Sequence, residues 1–374
     1  QDIGIFVSHN GGLDQLLAWK ESGGFAGTFS PNAASAQVVY TMTSGDSYVF
    51  KLKWKTNKPA AAATIYAGAG NGPYSPTSLI AETFPTATPP NFNSSTIQYP
   101  LANSDGSTWQ NIDAAALSST ITPAASASAI LTANVDLFTG KAGFNQDIGI
   151  FVSDNAGLDT LVAWKESGGF AGTFSPNAAF IKTIYPAVAG HTYVFKLKWK
   201  TNKPASGATI YAGAGNGPYS PTSLRVSLFT GDTFSNSSTT QYHLTSSNGV
   251  TWTPIDAATN VTVTQGVSTN SVVGANVDLF TANAGFNQDI GIFVSDNGGA
   301  DVLLAWKESG GFAGTFSPNA AFVQTTLQMT TGHTYVFKLK WKTNKNAPGA
   351  TIYAAAGGPA PFSNTWLTVE PTDY

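Results

Sequence analysis

The stretch Thr192–Asn202, TYVFKLKWKTN, sets Phe195, Leu197 and Trp199 in alternation with Lys196, Lys198 and Lys200. A period of two places the aromatic and aliphatic groups on one face of a β-strand and the ammonium groups on the other. The same alternation recurs at Phe50, Leu52 and Trp54 and at Phe337, Leu339 and Trp341. Upstream of each lies DIGIFVS, a second strand ending in a turn, and downstream lies TIYA, a third. Twice the third runs on into GAGNGPYSP, where Asn-Gly and Pro break the chain. No segment keeps an apolar spacing of 3.6 residues over a dozen positions. The expected fold class is therefore all-β, in tandem jelly-roll-like β-sandwich domains.

The segment QDIGIFVS begins at Gln1, Gln146 and Gln288, so the repeats are 145 and 142 residues long, each the size of an ordinary domain. Each repeat joins a nearly constant block (1–79, 146–224 and 288–367) to a divergent stretch (80–145 and 225–287). Three constant blocks accompany two divergent ones, so the first repeat is expected to lack its leading strands. The expected organisation is a partial sandwich at 1–79, a linker at 80–100, a sandwich at 101–224, a linker at 225–243 and a sandwich at 244–374. The linker assignments rest on Pro, Thr, Ser and Asn content.

Composition narrows the function classes. Charged residues are 10% of the 374, the formal net charge is −3 and there is no cysteine. A weakly acidic chain offers phosphate backbones no attractive field, which speaks against nucleic acid as a partner. Disulfides and thiolate chemistry are excluded. No apolar run approaches the roughly 20 residues of a membrane-spanning helix. A start at Gln1 without a visible signal peptide fits a mature secreted protein, or a piece of a longer array.

WKESGGFAGTFSPNAA is written identically at Trp19, Trp164 and Trp306. Lys165 and Glu166 are adjacent, so on a strand they face opposite ways and cannot act as a pair. The glycines and Ser-Pro-Asn are turn chemistry. The motif is accordingly read as a structural joint, made of Trp19, Phe25, Phe29, Trp164, Phe170, Phe174, Trp306, Phe312 and Phe316, with the phenylalanines plugging the end of a sandwich. A ligand surface is the alternative.

The lysine ladder reads as a solvated outer face, with an acidic polysaccharide as its alternative partner. SDNAGLD and SDNGGAD offer Asp154, Asp159, Asp296 and Asp301 as oxygen ligands for calcium, although the first copy has His9 in place of the leading aspartate and a plain hairpin turn is the simpler reading. No cofactor other than that calcium is implied. Tyr66, Tyr74, Tyr211, Tyr219 and Tyr353 lie in or beside loops where sugars stack on exposed rings, although core filling is the usual fate of aromatics. His191 and His333 share a GHTY turn in which the first copy has Asp46, and no histidine has the setting of a nucleophile relay. A glycosidase-type pair composed of Glu166 and Asp159 is the one catalytic arrangement worth testing, and the expectation is of no enzyme.

ANVDLFTGKAGFNQDIGIFVSD, LVAWKESGGFAGTFSPNAAF, TYVFKLKWKTN and ATIYAGAGNGPYSPTSL together resemble a repeated module of secreted or surface-exposed bacterial proteins. That resemblance covers nearly all of the chain and implies an extracellular or cell-surface β-sandwich with an adhesive or scaffold role. The leading expectation is a surface fibre, filament subunit or spacer, and the alternative is a multivalent carbohydrate-binding array. The three-to-two count of blocks adds a further expectation: a domain short of strands could be completed by a strand from a neighbouring subunit. Self-association and surface glycans are the expected partners.

Overall fold

The computed structural model describes residues 1–23, 28–84, 89–170, 172–311, 314–358 and 360–372. Its regular structure is almost wholly β, with one 3-10 turn at Ala257–Thr259 and no α-helix among the described residues. No helix among the described residues is long and apolar enough to cross a membrane.

Unit 2 runs β4 (Asn91–Ser95), β5 (Tyr99–Ala102), β6 (Gln110–Asn111), β7 (Ser118–Ile121), β8 (Ala127–Thr139), β9 (Gln146–Asp154), β10 (Thr160–Ser167), β11 (Asn177–Ala187), β12 (Tyr193–Thr201), β13 (Thr209–Ala212) and β14 (Thr222–Phe229). Unit 3 repeats it as β15 (Phe234–Ser238), β16 (Tyr242–Thr245), β17 (Thr253–Pro254), β18 (Val261–Thr264), β19 (Thr269–Thr281), β20 (Gln288–Asp296), β21 (Val302–Ser309), β22 (Asn319–Met329), β23 (Thr334–Thr343), β24 (Thr351–Ala354) and β25 (Thr365–Pro371). Among the described residues unit 1 has only β1 (Asp2–His9), β2 (Gln15–Glu21) and β3 (Tyr48–Lys55), in the order β2-β1-β3.

Each complete unit is an antiparallel two-sheet sandwich, as the alternation requires. In unit 2 one sheet is β10-β9-β12-β6, with β7 also on β12. The other is β4-β14-β8-β13-β5, with β11 on the far side of β8. Phe195, Leu197 and Trp199 of β12 are no more than 2% exposed and meet Leu131, Val135 and Leu137 of β8 in a single apolar cluster. Phe337, Leu339 and Trp341 do the same in unit 3.

The long strand β8 is the hub of its sheet: it pairs with β11 along its whole length, with β14 over its first half and with β13 at its end. β19 repeats this with β22, β25 and β24.

Two expectations are corrected. The supposed linkers carry strands, because β4 completes the edge beside β14 and β15 the edge beside β25, so Asn- and Ser-rich composition here marks solvated edge strands. The lysine ladder is not freely solvated either. Asp159 takes Lys196 and Lys198 at 2.6 Å each and Asp147 takes Lys200 at 2.5 Å, while the ammonium groups of Lys198 and Lys200 lie over Phe151 and Trp109.

Candidate functional site

The thrice-written motif lies between units. In unit 2, β10 ends in Trp164-Lys165-Glu166 and presents this tripeptide to unit 3. The Trp164 indole packs on Gly357 so closely that a Cβ there would stand 2.6 Å from the ring. Lys165 Nζ donates to the carbonyl of Asn276 at 3.1 Å and to that of Asn364. The Glu166 amide donates to Asp278 Oδ2 at 2.9 Å.

Unit 1 meets unit 2 in the same way. Trp19 sits on Gly215, Lys20 donates to the carbonyls of Asn134 and Pro221, and the Glu21 amide donates to Asp136 Oδ2 at 2.9 Å. Unit 3 turns back on unit 1: Trp306 packs on Gly70, Lys307 donates to the Pro76 carbonyl, and Asn287 Nδ2 donates to the Phe29 carbonyl at 3.1 Å. The three units therefore close in a cycle.

The second half of the motif faces the joint from the other side. Gly23 lies against Ser175, Gly168 against Ser317 and Pro318, and Gly310 against Ser30 and Pro31. One sequence thus supplies both faces of every joint, which accounts for its three unchanged copies. Hub residues complete the two full joints. Asn276 Nδ2 donates to the Ala321 carbonyl of its own unit at 3.0 Å and to the Phe180 carbonyl of unit 2 at 2.9 Å. Asn134 likewise bridges Ala179 and Ser35. The rings of Phe180 and Phe322 meet at 4.2 Å, and Lys182 pairs with Glu370 at 2.8 Å across the joint.

Burial sets the electrostatics. Lys165 is 0% and Lys20 2% exposed, and desolvation brings both ammonium groups down to about 8, partly opposed by Asp278 and Asp136 respectively. Desolvation raises Asp136 and Asp278, against the pull of the same lysines and of the Ser220 and Ser363 hydroxyls. Asp147 is raised to about 6 by burial and Glu166 is raised well above its ordinary value by burial and by Asp147. Such buried, partnered charges hold a geometry without exposing a reacting atom.

The remaining candidates fall into separate places. Glu166 accepts from Asn145 Nδ2 at the joint, whereas Asp159 lies before the opposite end of β10, roughly 20 Å away at 3.3 Å per residue. They form no carboxylate pair.

Asp154 faces His191 at 3.0 Å and Asp296 faces His333 at 2.9 Å, while Asp159 and Asp301 are held by lysine pairs. Among the described residues no group of three or more acidic or histidine side chains is arranged to hold a metal. In unit 1 the pair is inverted, with His9 facing Asp46 at 2.8 Å. The two substitutions that looked like separate losses in the sequence are the two ends of one exchanged His-Asp contact.

The phenylalanines do not plug the sandwich. Phe29, Phe174 and Phe316 are 77%, 53% and 47% exposed, each in left-handed backbone near φ 52°. That conformation lets the Phe174 and Phe316 amides bond the last hub carbonyls, Thr139 and Thr281, and leaves the rings at the surface beside Phe138 and Phe280. Phe170 is 37% exposed, and Phe25 and Phe312 lie outside the described residues.

Tyr211 and Tyr353 stack on those same hub phenylalanines at 4.9 and 4.8 Å. Tyr219 is half-buried. Tyr66 and Tyr74 are exposed on unit 1, where no hub lies beside them among the described residues.

Sequence reasoning missed Asn134, Asp136, Asn276 and Asp278. Their signal was an Asn and an Asp set two apart within an otherwise apolar strand, ANVDLF, in both divergent stretches.

No family model and no curated protein matches the chain. Among solved structures it is similar to the glycosylasparaginase PNGase F from Flavobacterium meningosepticum, at 11% identity and TM-score 0.32, over 75% of this chain and 96% of that one. It is also similar to the N-terminal CBM22-1-CBM22-2 tandem domain of Xyn10C from Paenibacillus barcinonensis, at 9% identity and TM-score 0.22, over 75% and 91%. At such TM-scores neither likeness bears on function.

Proposed function

We propose that the chain is an extracellular, non-enzymatic structural or adhesive subunit in which two sandwiches and a partial one close on one another and assembly proceeds through the open side of unit 1. The observation that carries this reading is the use of the repeated motif: its Trp and Lys are spent on the neighbouring unit in all three joints, and its Glu amide in the two full ones. A spacer needs only end-to-end contact, so the reading is of a compact three-lobed body and not of an extended rod of domains. Secretion is supported by the absence of cysteine and the low charge. Electron microscopy of the purified chain tests it: three-lobed particles, single or joined, are expected. Strings of separated domains, or a hydrolytic turnover lost in Glu166→Gln, would count against it.

A second reading has its own observation. The exposed Phe174 and Phe316 rings, with Tyr211 and Tyr353 beside the same hub phenylalanines, form two like aromatic surfaces of the kind that stack sugars. Glycan-array binding lost in Phe174→Ala with Phe316→Ala, at unchanged melting temperature, would favour the multivalent carbohydrate-binding array.

A further inference from the structure

We infer that the open face of unit 1 receives an extended polypeptide strand with an Asn-x-Asp core flanked by alternating apolar residues, the pattern of β8 and β19. The inference rests on the reading of the chain as an assembling subunit and names what its open side takes.

In unit 1 the segments matching β11, β13 and β14 are residues 32–42, 64–67 and 77–84, and none of them is a strand. In units 2 and 3 those are the three strands that hydrogen-bond the hub. The matches of β9, β10 and β12, which pair among themselves, do form strands in unit 1. TIYA at 64–67 is identical to β13, and the other two segments keep Asn32, Ala33, Ala34 and Tyr40 of β11 and Thr77, Ser78, Leu79 and Phe84 of β14, so a missing partner accounts for their lack of strand pairing. A groove of about 2000 Å³ lies in its place, lined by Tyr40, Phe50, Leu52, Trp54 and Ile65 among others. That exceeds the roughly 300–1,000 Å³ of small-molecule sites and suits a length of polypeptide. Trp54 is 54% exposed where Trp199 and Trp341 are 2%.

The joints specify the polar residues of the missing strand. In the two full joints the hub Asn bridges two carbonyls and the hub Asp accepts from the Glu amide of the neighbouring unit beside a buried lysine. At the third joint Lys307 and the amide of Glu308 occupy the corresponding positions, Ala34 and Phe322 carry the matching carbonyls, and no hub stands opposite them among the described residues. Both hubs of the chain are engaged in their own sandwiches. A second copy could donate one only by opening an equal face of its own, so the occupant is a strand of this pattern not already built into a sandwich.

The test adds a synthetic peptide of the Ala127–Thr139 sequence to the full chain. Saturable binding is expected by calorimetry, with amide exchange in 32–42, 64–67 and 77–84 slowed at least tenfold. A peptide carrying Asp136→Ala should bind at least tenfold more weakly, and Lys307→Met in the protein should remove most of that difference. If the free peptide aggregates, residues 127–145 fused ahead of Gln1 reproduce the spacing of unit 2, and exchange is compared with a scrambled fusion.

Equal binding of a scrambled peptide, absence of protection in both formats, or protection of these segments by dimerisation of the chain alone would overturn the inference. Specific binding without any larger assembly in the microscope would leave the occupant standing and remove only the assembly reading.

Discussion

Gly357 shows how much one missing Cβ decides. It has φ +106° and lies under Trp164 of the neighbouring unit, so a methyl group there meets both a strained backbone and a ring at 2.6 Å. Gly357→Ala should cost about 1–3 kcal/mol, seen as a lower melting temperature and faster exchange along β10. Gly266→Ala, with nothing within 4 Å, is the matched control and should change little. The exchange of His9 and Asp46 for Asp154 and His191 belongs to the same scale. Read along the chain it resembles the loss of a ligand in one loop and of an imidazole in another. Only the pairing of β9 with β12, which sets Asp154 opposite Tyr193, brings the two ends together.

At the scale of the element, the hub strand binds its own sheet and the next unit at once. Lys165 is fully buried, donates to the carbonyls of Asn276 and Asn364, and has the charge of Asp278 nearby. Lys165→Met should destabilise by roughly 1–3 kcal/mol, because it leaves the buried carbonyls of Asn276 and Asn364 without their donor and Asp278 without a nearby cation. Lys165→Met with Asp278→Asn should recover part of that loss, since no charge then remains to be desolvated. Thermal unfolding of the two variants decides it. An equal loss in both would mean that the lysine acts through packing alone. ANVDLF was legible as a strand from its apolar residues, but the role of its Asn and Asp was not. Polar groups on a buried strand are explained by whatever faces them, and here that is another unit more than 90 residues away in sequence.

For the whole molecule the buried carboxylates govern the pH response. Asp147 and Asp289 titrate near 6 in the folded chain, above the ordinary 3.8, so between about pH 4 and 6 the folded state holds protons that the unfolded state has released. Stability is therefore lost as pH rises through that window. Lys20 and Lys165, near 8 in place of 10.5, act oppositely, and their burial penalty is relieved as pH rises from about 8 to 10.5. Asp159 and Asp301, lowered by their lysine partners, contribute stability that disappears below about pH 4. The melting temperature should be highest near pH 4 and lowest near pH 7–8, with a second fall in stronger acid. A steady rise from pH 5 to 7 in a calorimetric series would contradict this.

The sequence by itself determined the strands, the two-layer sandwich and the deficit in the first repeat, because alternation, turn residues and repeat length are local and each is repeated along the chain. Its thrice-written motif reads as a joint that plugs a sandwich with phenylalanines, whereas the rings of Phe29, Phe174 and Phe316 lie at the surface. Only the tertiary structure decided what that joint connects, that the last unit returns to the first, that lysines of the ladder meet the aspartates of the acidic loops, and that the turn histidines face aspartates. Those facts depend on which backbone lies opposite a side chain across tens or hundreds of residues, and no period within one strand carries that information.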